Sequence, residues 1–251
     1  MSGPAGALAH IKAAGGFLLN AILPPQCLAC GTPVDRQGGI CAACFGRMTF
    51  ITKPVCHVCG VPVDAFASDD TMCGACLRDR PAFRTARAVF AYKDEGRDLV
   101  LQLKHADRTD MARHLAAWMK REGAAMIDAA QVIVPVPMHW TRLVWRTYNQ
   151  AALLANALSA LTGKPVAPDA LVRRRATPSQ GALGREARKR NVAGAFGVQR
   201  PKAVAGRTVV LVDDVLTTGA TADAAARALL RAGAIAVDVL CLARVPMPGG
   251  P

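Results

Sequence analysis

From Arg87 onward, short runs rich in β-branched residues alternate with longer Ala- and Leu-rich stretches that carry apolar positions at helical spacing. The runs Ala88–Tyr92, Val132–Val136, Ala170–Val172, Thr208–Val212 and Ala236–Leu242 read as strands. Asp94–Lys104, Asp110–Glu122, Asn149–Thr162 and Ala220–Ala232 read as helices, the last stopped by Gly233 as a left-handed cap. Strand and helix in alternation predict an α/β domain, a mainly parallel sheet flanked by helices, over residues 85–245. Before Arg87 the texture differs. Glycines and prolines punctuate the chain (Gly31, Pro33, Pro54, Gly60, Pro62, Gly74) and long apolar runs are scarce, so residues 25–80 predict a small module unable to build a large core. Arg78–Arg84 reads as the linker.

Composition sharpens this picture in two places. Hydrophobic residues make up 52% of the 251 and aromatics only 5%, so the core must be aliphatic. At the N-terminus, the apolar run Ala13–Leu23 is broken by Asn20 and is too short to span a bilayer. Without a basic cluster before it or a small-residue cleavage site after it, a secretory signal is not expected, and the reading is cytoplasmic. With Ile11, Phe17, Leu18 and Ile22 near helical spacing, residues 1–24 read as an amphipathic helix, and no transmembrane segment is expected. The formal charge of +13 points to a polyanionic partner: nucleic acid, anionic lipid or a phosphorylated small molecule.

Eight of the nine cysteines form four CxxC pairs: Cys27/Cys30, Cys41/Cys44, Cys56/Cys59 and Cys73/Cys76. In a reducing compartment these are not a disulfide framework. Two CxxC turns supply the four thiolates of a closed tetrahedral zinc shell, so the spacing predicts two structural zinc sites, a double zinc ribbon. Sequential pairing closes shorter loops than pairing first with third and second with fourth, and is preferred for its smaller entropy cost; spacing leaves both open. Each zinc would contribute on the order of 10 kcal/mol to folding such a module. His57 reads as a bystander and Cys241 as a buried strand residue.

The segment Val209–Thr221 carries the candidate chemistry. Val209–Val212 is a continuous apolar strand, followed by Asp213 and Asp214, then Thr217, Thr218, Gly219, Ala220 and Thr221 leading into a helix. Hydroxyls and glycine-freed amides at a helix N-terminus suit a phosphate, at the strand edge where α/β sheets place ligands. The paired carboxylates suit a ribose 2,3-diol and its associated Mg²⁺. The segment resembles the phosphoribosyl pyrophosphate signature of type I phosphoribosyltransferases, whose fold it therefore implies.

More of the chain, roughly Cys27 to Arg244, resembles the ComF family associated with DNA uptake and competence. The resemblance rests on the cysteine pairs, Tyr92, Lys104, Pro135–Pro137, Arg146 to Gln150, Arg173–Arg175, Gln180, Arg188 to Asn191, Phe196 and the two acids with their phosphate turn. Thr147 and Tyr148 stand where the family has Gly-Phe. By this resemblance Pro135, Val136 and Pro137 belong to a loop touching pyrophosphate, Lys104, Arg146 and Arg188 are cations for pyrophosphate or substrate, and Asp213 and Asp214 hold the ribose. The basic stretch Arg173–Arg190 reads as a mobile loop that covers the site or tracks a nucleic-acid backbone.

Three functions follow as expectations: a phosphoribosyltransferase that binds phosphoribosyl pyrophosphate with Mg²⁺, a single-stranded DNA-binding protein of the uptake machinery, or a metabolite-binding regulator. Competence or helicase proteins are the protein partners that the resemblance implies. No residue announces an acceptor.

Overall fold

A computed structural model describes residues 24–104, 108–138, 148–175 and 185–246. The expected helix in residues 1–24 lies outside them, save Pro24. The chain divides into two compact units, Met1–Arg47 and Met48–Pro251.

The first unit is built on turns rather than on a core. A turn at Cys27–Gly31 is closed by the Gly31 amide donating to Cys27 O (2.9 Å) and by a bridge between Gln26 and Pro33. The short helix α1, Ala42–Arg47, follows Cys41.

The second unit begins with a like turn at Cys56–Gly60 and a short helix α2, Gly74–Arg78. Then come β1 Ala86–Ala91, α3 Asp94–Gln102, α4 Met111–Glu122, α5 Ala124–Ala129, β2 Val132–Pro135 and α6 Gln150–Thr162. The chain continues through β3 Leu171–Arg173, α7 Arg185–Val192, β4 Phe196–Val198, β5 Thr208–Leu216, α8 Ala220–Arg231 and β6 Ala236–Arg244. Among the described residues, four strands form a parallel sheet in the order β1-β6-β5-β2. Val209–Val212 and Val237–Arg244 are buried, as strands covered on both faces must be. The core is aliphatic, and its aromatic corner is small: Trp118 meets Phe50 and Phe90 edge to face, with centroids 6.1 and 6.4 Å apart. Local signals set the ends of α6, where Asn149 accepts from the Ala151 amide (3.0 Å) and Gly163 takes φ +71°. Gly233, at φ +93°, follows α8 as expected.

Three expectations are corrected. The strand expected at Ala170–Val172 does not join the parallel sheet; β3 pairs antiparallel with β4, which the sequence pattern had not marked, in a sheet of two strands. Its partner run, Phe196–Val198, is three residues long and glycine-centred, too short to show a period. The basic stretch is not all loop: Arg173 ends β3, and Arg185–Val192 is helical, since Arg, Glu, Ala and Lys are good helix formers. Thirdly, β5 runs on through both acids to Leu216, because Val215 and Leu216 continue the ladder against Ala243 and Arg244.

The second cysteine group packs into the main core. Val55, Val58, Val61 and Phe83 share one buried cluster with Leu211, Val237 and Val239 of the sheet. Ala86 N–H donates to Val58 O (2.7 Å). At Gly60, φ is +68° and a Cβ would lie 2.4 Å from Ala86 O, so only glycine allows this approach. The stretch Arg78–Arg84 is likewise fastened: Arg84 chelates the fully buried Asp238, and the Ala82 amide donates to Asp223 Oδ1 (2.6 Å) on α8.

Candidate functional site

The eight paired cysteines converge in two groups, Cys27/Cys30/Cys41/Cys44 and Cys56/Cys59/Cys73/Cys76, within each of which all sulfurs lie within 4.8 Å of one another. Pairing is therefore sequential. Zn–S bonds of about 2.3 Å in a tetrahedron put sulfurs about 3.8 Å apart; Cys30 and Cys41 are 3.7 Å apart, and Cys59 and Cys73 3.6 Å. Backbone amides support one sulfur in each group: Cys41 N–H donates to Cys27 Sγ (3.3 Å), Cys73 N–H to Cys56 Sγ (3.2 Å). Crowding makes the thiols unequal. Thr32 draws Cys30 down to about 6, whereas burial and the neighbouring sulfurs push Cys44 up to about 12. A dication resolves this competition by stabilising four thiolates together, so the donor set fits zinc. His57 faces Asp70 (3.9 Å) and stands outside the sulfur groups. Cys241 is fully buried on β6.

At the C-terminal edge of the sheet, a cleft of about 280 Å³ gathers Lys104, Val136, Pro137, Arg173, Asp213, Asp214, Thr217 and Thr221. The end of α3 delivers Lys104, whose Nζ lies 3.2 Å from Asp214 Oδ2. Asp213 is pushed well above the usual carboxylate range, first by burial and then by the Asp214 charge beside it, with Lys104 opposing. The loop after β2 is held from both sides: Val136 N–H donates to Val212 O (2.8 Å), and Asn149 Nδ2 donates to Val136 O (3.0 Å). Tyr148 donates its hydroxyl to Leu103 O (2.9 Å), which ties the start of α6 to the residue before Lys104. That bond gives the Tyr a task that Phe could not perform.

Of the other expected residues, Pro135 is buried at the end of β2. Thr218, Gly219 and Ala220 face a second, smaller cavity with Lys189 and Arg244. Gly219, at φ +83°, makes the turn into α8. Arg188 lies on α7 and is not among the described residues that line the cleft. Arg146 lies outside the described residues.

Gln150, first residue of α6, was not singled out by its type. It lines the cleft, is 3% exposed, and its Nε2 has no hydrogen-bond partner among the described residues. Its place in the motif from Arg146 to Gln150 was the available signal; its burial was not.

Both parts of the chain are similar to known proteins. The double zinc ribbon domain family matches residues 18–77, and the phosphoribosyl transferase domain family matches residues 148–249. "DNA utilization protein YhgH" of Escherichia coli (strain K12) is 37% identical over 229 residues, covering 88% of this chain and 98% of that protein. "Competence protein F" of Haemophilus influenzae is 30% identical over 68% of this chain and 78% of that one. The chain belongs to the ComF family. "Competence protein ComFC" of Bacillus subtilis is 26% identical over 62% of each chain. This ComF-family chain therefore joins two zinc-binding sites, each of four cysteines, to a phosphoribosyltransferase-type domain. Among the described residues, no helix is long and apolar enough to cross a membrane.

Proposed function

We propose that the cleft binds phosphoribosyl pyrophosphate with Mg²⁺. The observation that carries this reading is the pair Asp213 and Asp214, placed by β5 beside Lys104 and just before the Thr217–Thr221 turn into α8. Burial first, and then the charge of Asp214 beside it, disfavour the ionised form of Asp213, and one lysine does not offset both. A ribose diol donating hydrogen bonds, and a dication, both favour the ionised form, so the donor set fits the ligand. Thr217 and Thr221, with the amides that open α8, would hold the 5-phosphate. The Pro135–Pro137 loop, Lys104, Arg146 and Arg188 would take the pyrophosphate, and Gln150 would donate its unpartnered amide to an oxygen of the same ligand. Mg²⁺, when bound, neutralises charge on the pyrophosphate. In transfer, the C1–O bond to pyrophosphate breaks as a nucleophile attacks C1; the chain's part is to orient the ribose and to place cations on the departing group. Calorimetric titration of phosphoribosyl pyrophosphate with Mg²⁺ tests the reading. Equal affinity in the parent and in Asp213→Ala/Asp214→Ala would sink it.

A second reading, single-stranded DNA handling in the cytoplasm beside competence or helicase proteins, is favoured by one feature. Helix α7 carries Arg188, Lys189 and Arg190, and Lys189 lines a groove of about 270 Å³ that continues to Arg227 and Arg231 of α8. Its binding should weaken steeply with salt. Unchanged binding of a labelled oligonucleotide by Arg227→Glu/Arg231→Glu at 0.15 M salt would count against this groove.

A further inference from the structure

Arg244 closes β6 and is 3% exposed, yet no carboxylate among the described residues pairs with it. Its Nη2 lies 3.5 Å from Cys59 Sγ, and its Nε and Nη1 have no hydrogen-bond partner among the described residues. A buried guanidinium without an anion is costly. A zinc ion in four thiolates carries a net charge of −2, so the second cysteine site is the anion that Arg244 faces.

The backbone of Arg244 runs beside the strand end that leads into the phosphate turn. Arg244 is paired across the sheet with Leu216, and the Val245 amide donates to Leu216 O (2.9 Å), one residue before Thr217. One small cavity is walled by Cys59, Cys76 and Arg244 and also by Thr218 and Gly219. The chain leaving Cys76 passes along the same turn. Asp79 pairs with Lys189 of α7, Phe83 lies 3.9 Å from where a Gly219 Cβ would stand, and the Ala82 amide caps Asp223.

We propose that Arg244 is a positioning residue that couples the second zinc site to the phosphate turn, so that metal in one and a phosphoryl group in the other stabilise each other. The phosphoryl half rests on the reading of Thr217–Thr221 as a phosphate cradle; the mechanical half does not. Coupling of this kind is reciprocal: a ligand that steadies the turn must also slow loss of that metal. The first cysteine site takes no part.

Hydrogen exchange of the full-length, zinc-loaded protein, followed over Val212–Ala224, decides the mechanical half. In Arg244→Met the amides of Thr217–Ala220 should exchange at least about tenfold faster, and Arg244→Lys should recover most of that protection. Cys27→Ser should leave it unchanged. Parent-like exchange in Arg244→Met overturns the proposal. Should Arg244→Met not fold, Arg244→Lys carries the same test, with about threefold faster exchange expected and none overturning it. Release of the two zinc ions to a chromogenic chelator is then timed with and without Mg²⁺ and phosphoribosyl pyrophosphate. One of the two should slow at least threefold, and two unchanged rates in a protein that binds the ligand would also overturn it. A protein that shows no calorimetric binding at all defeats the proposed function instead, and the exchange result still decides the coupling.

Discussion

At Cys27 the Gly31 amide donates to Cys27 O and the Cys27 amide to Thr32 O; at Cys56 the Gly60 amide donates to Cys56 O and the Cys56 amide to Val61 O. Each turn is flanked by a strand-like bridge, and a short helix further on carries the last sulfur of the group. What differs is the surroundings. The first group belongs to a unit whose described residues bury little beyond Cys27, Leu28 and Cys44. Around the second lie Val55, Val58, Val61 and Phe83, continuous with the core of the sheet. One local plan thus serves two ends: the first site is a metal staple for a stretch with little core, and the second is a piece of the domain wall beside the turn into α8.

The largest effect expected from this contrast concerns stability. Cys56→Ser/Cys76→Ser should cost the sheet-bearing unit on the order of 10 kcal/mol and leave no cooperative thermal transition. Cys27→Ser/Cys44→Ser should lose one zinc per chain and keep the main transition. Calorimetry with metal analysis checks both, and equal damage from the two variants would erase the distinction between the sites.

Ligand binding should follow the second unit alone. Asp213→Ala/Asp214→Ala should weaken phosphoribosyl pyrophosphate at least about 100-fold, roughly 2.7 kcal/mol, while Cys27→Ser/Cys44→Ser should bind like the parent. A titration in which the cysteine variant loses affinity too would show that the first site takes part.

A smaller effect is expected from pH. Because the pKa of Asp213 is raised on folding, its contribution to the stability of the ligand-free unit is full below the ordinary carboxylate value of about 3.9 and fades as pH rises through its raised value. Ligand affinity should run the other way, growing as Asp213 ionises. Asp213→Asn should flatten the stability slope measured by urea unfolding between pH 4 and 7. A slope that survives would assign it elsewhere.

The smallest effect tests how Lys104 is held. Tyr148→Phe removes the bond to Leu103 O and should cost about 1 kcal/mol, read as a few-fold loss of affinity with an unchanged zinc content. No loss would mean that α3 holds Lys104 without help.

The sequence by itself determined everything that rests on near neighbours. CxxC spacing places two sulfurs within reach of one metal whatever surrounds them, and an apolar Val-Leu run followed by two acids and a Thr-Gly turn is a strand leading through a turn into a helix on local grounds alone. Short-loop entropy likewise favoured the sequential pairing that the fold adopts. Tertiary structure decided what depends on burial and on register between distant segments. That β3 leaves the parallel sheet for Phe196–Val198, that Tyr148 reaches Leu103, and that Gln150 is buried in the cleft leave no periodic trace in the chain. The same holds for Arg244 and Cys59, 185 residues apart, whose meeting arises because β6 lies between β1 and β5 and ends beside the second cysteine turn. Two like cysteine turns could therefore be read from the sequence, whereas only packing could build one of them into the core of the sheet.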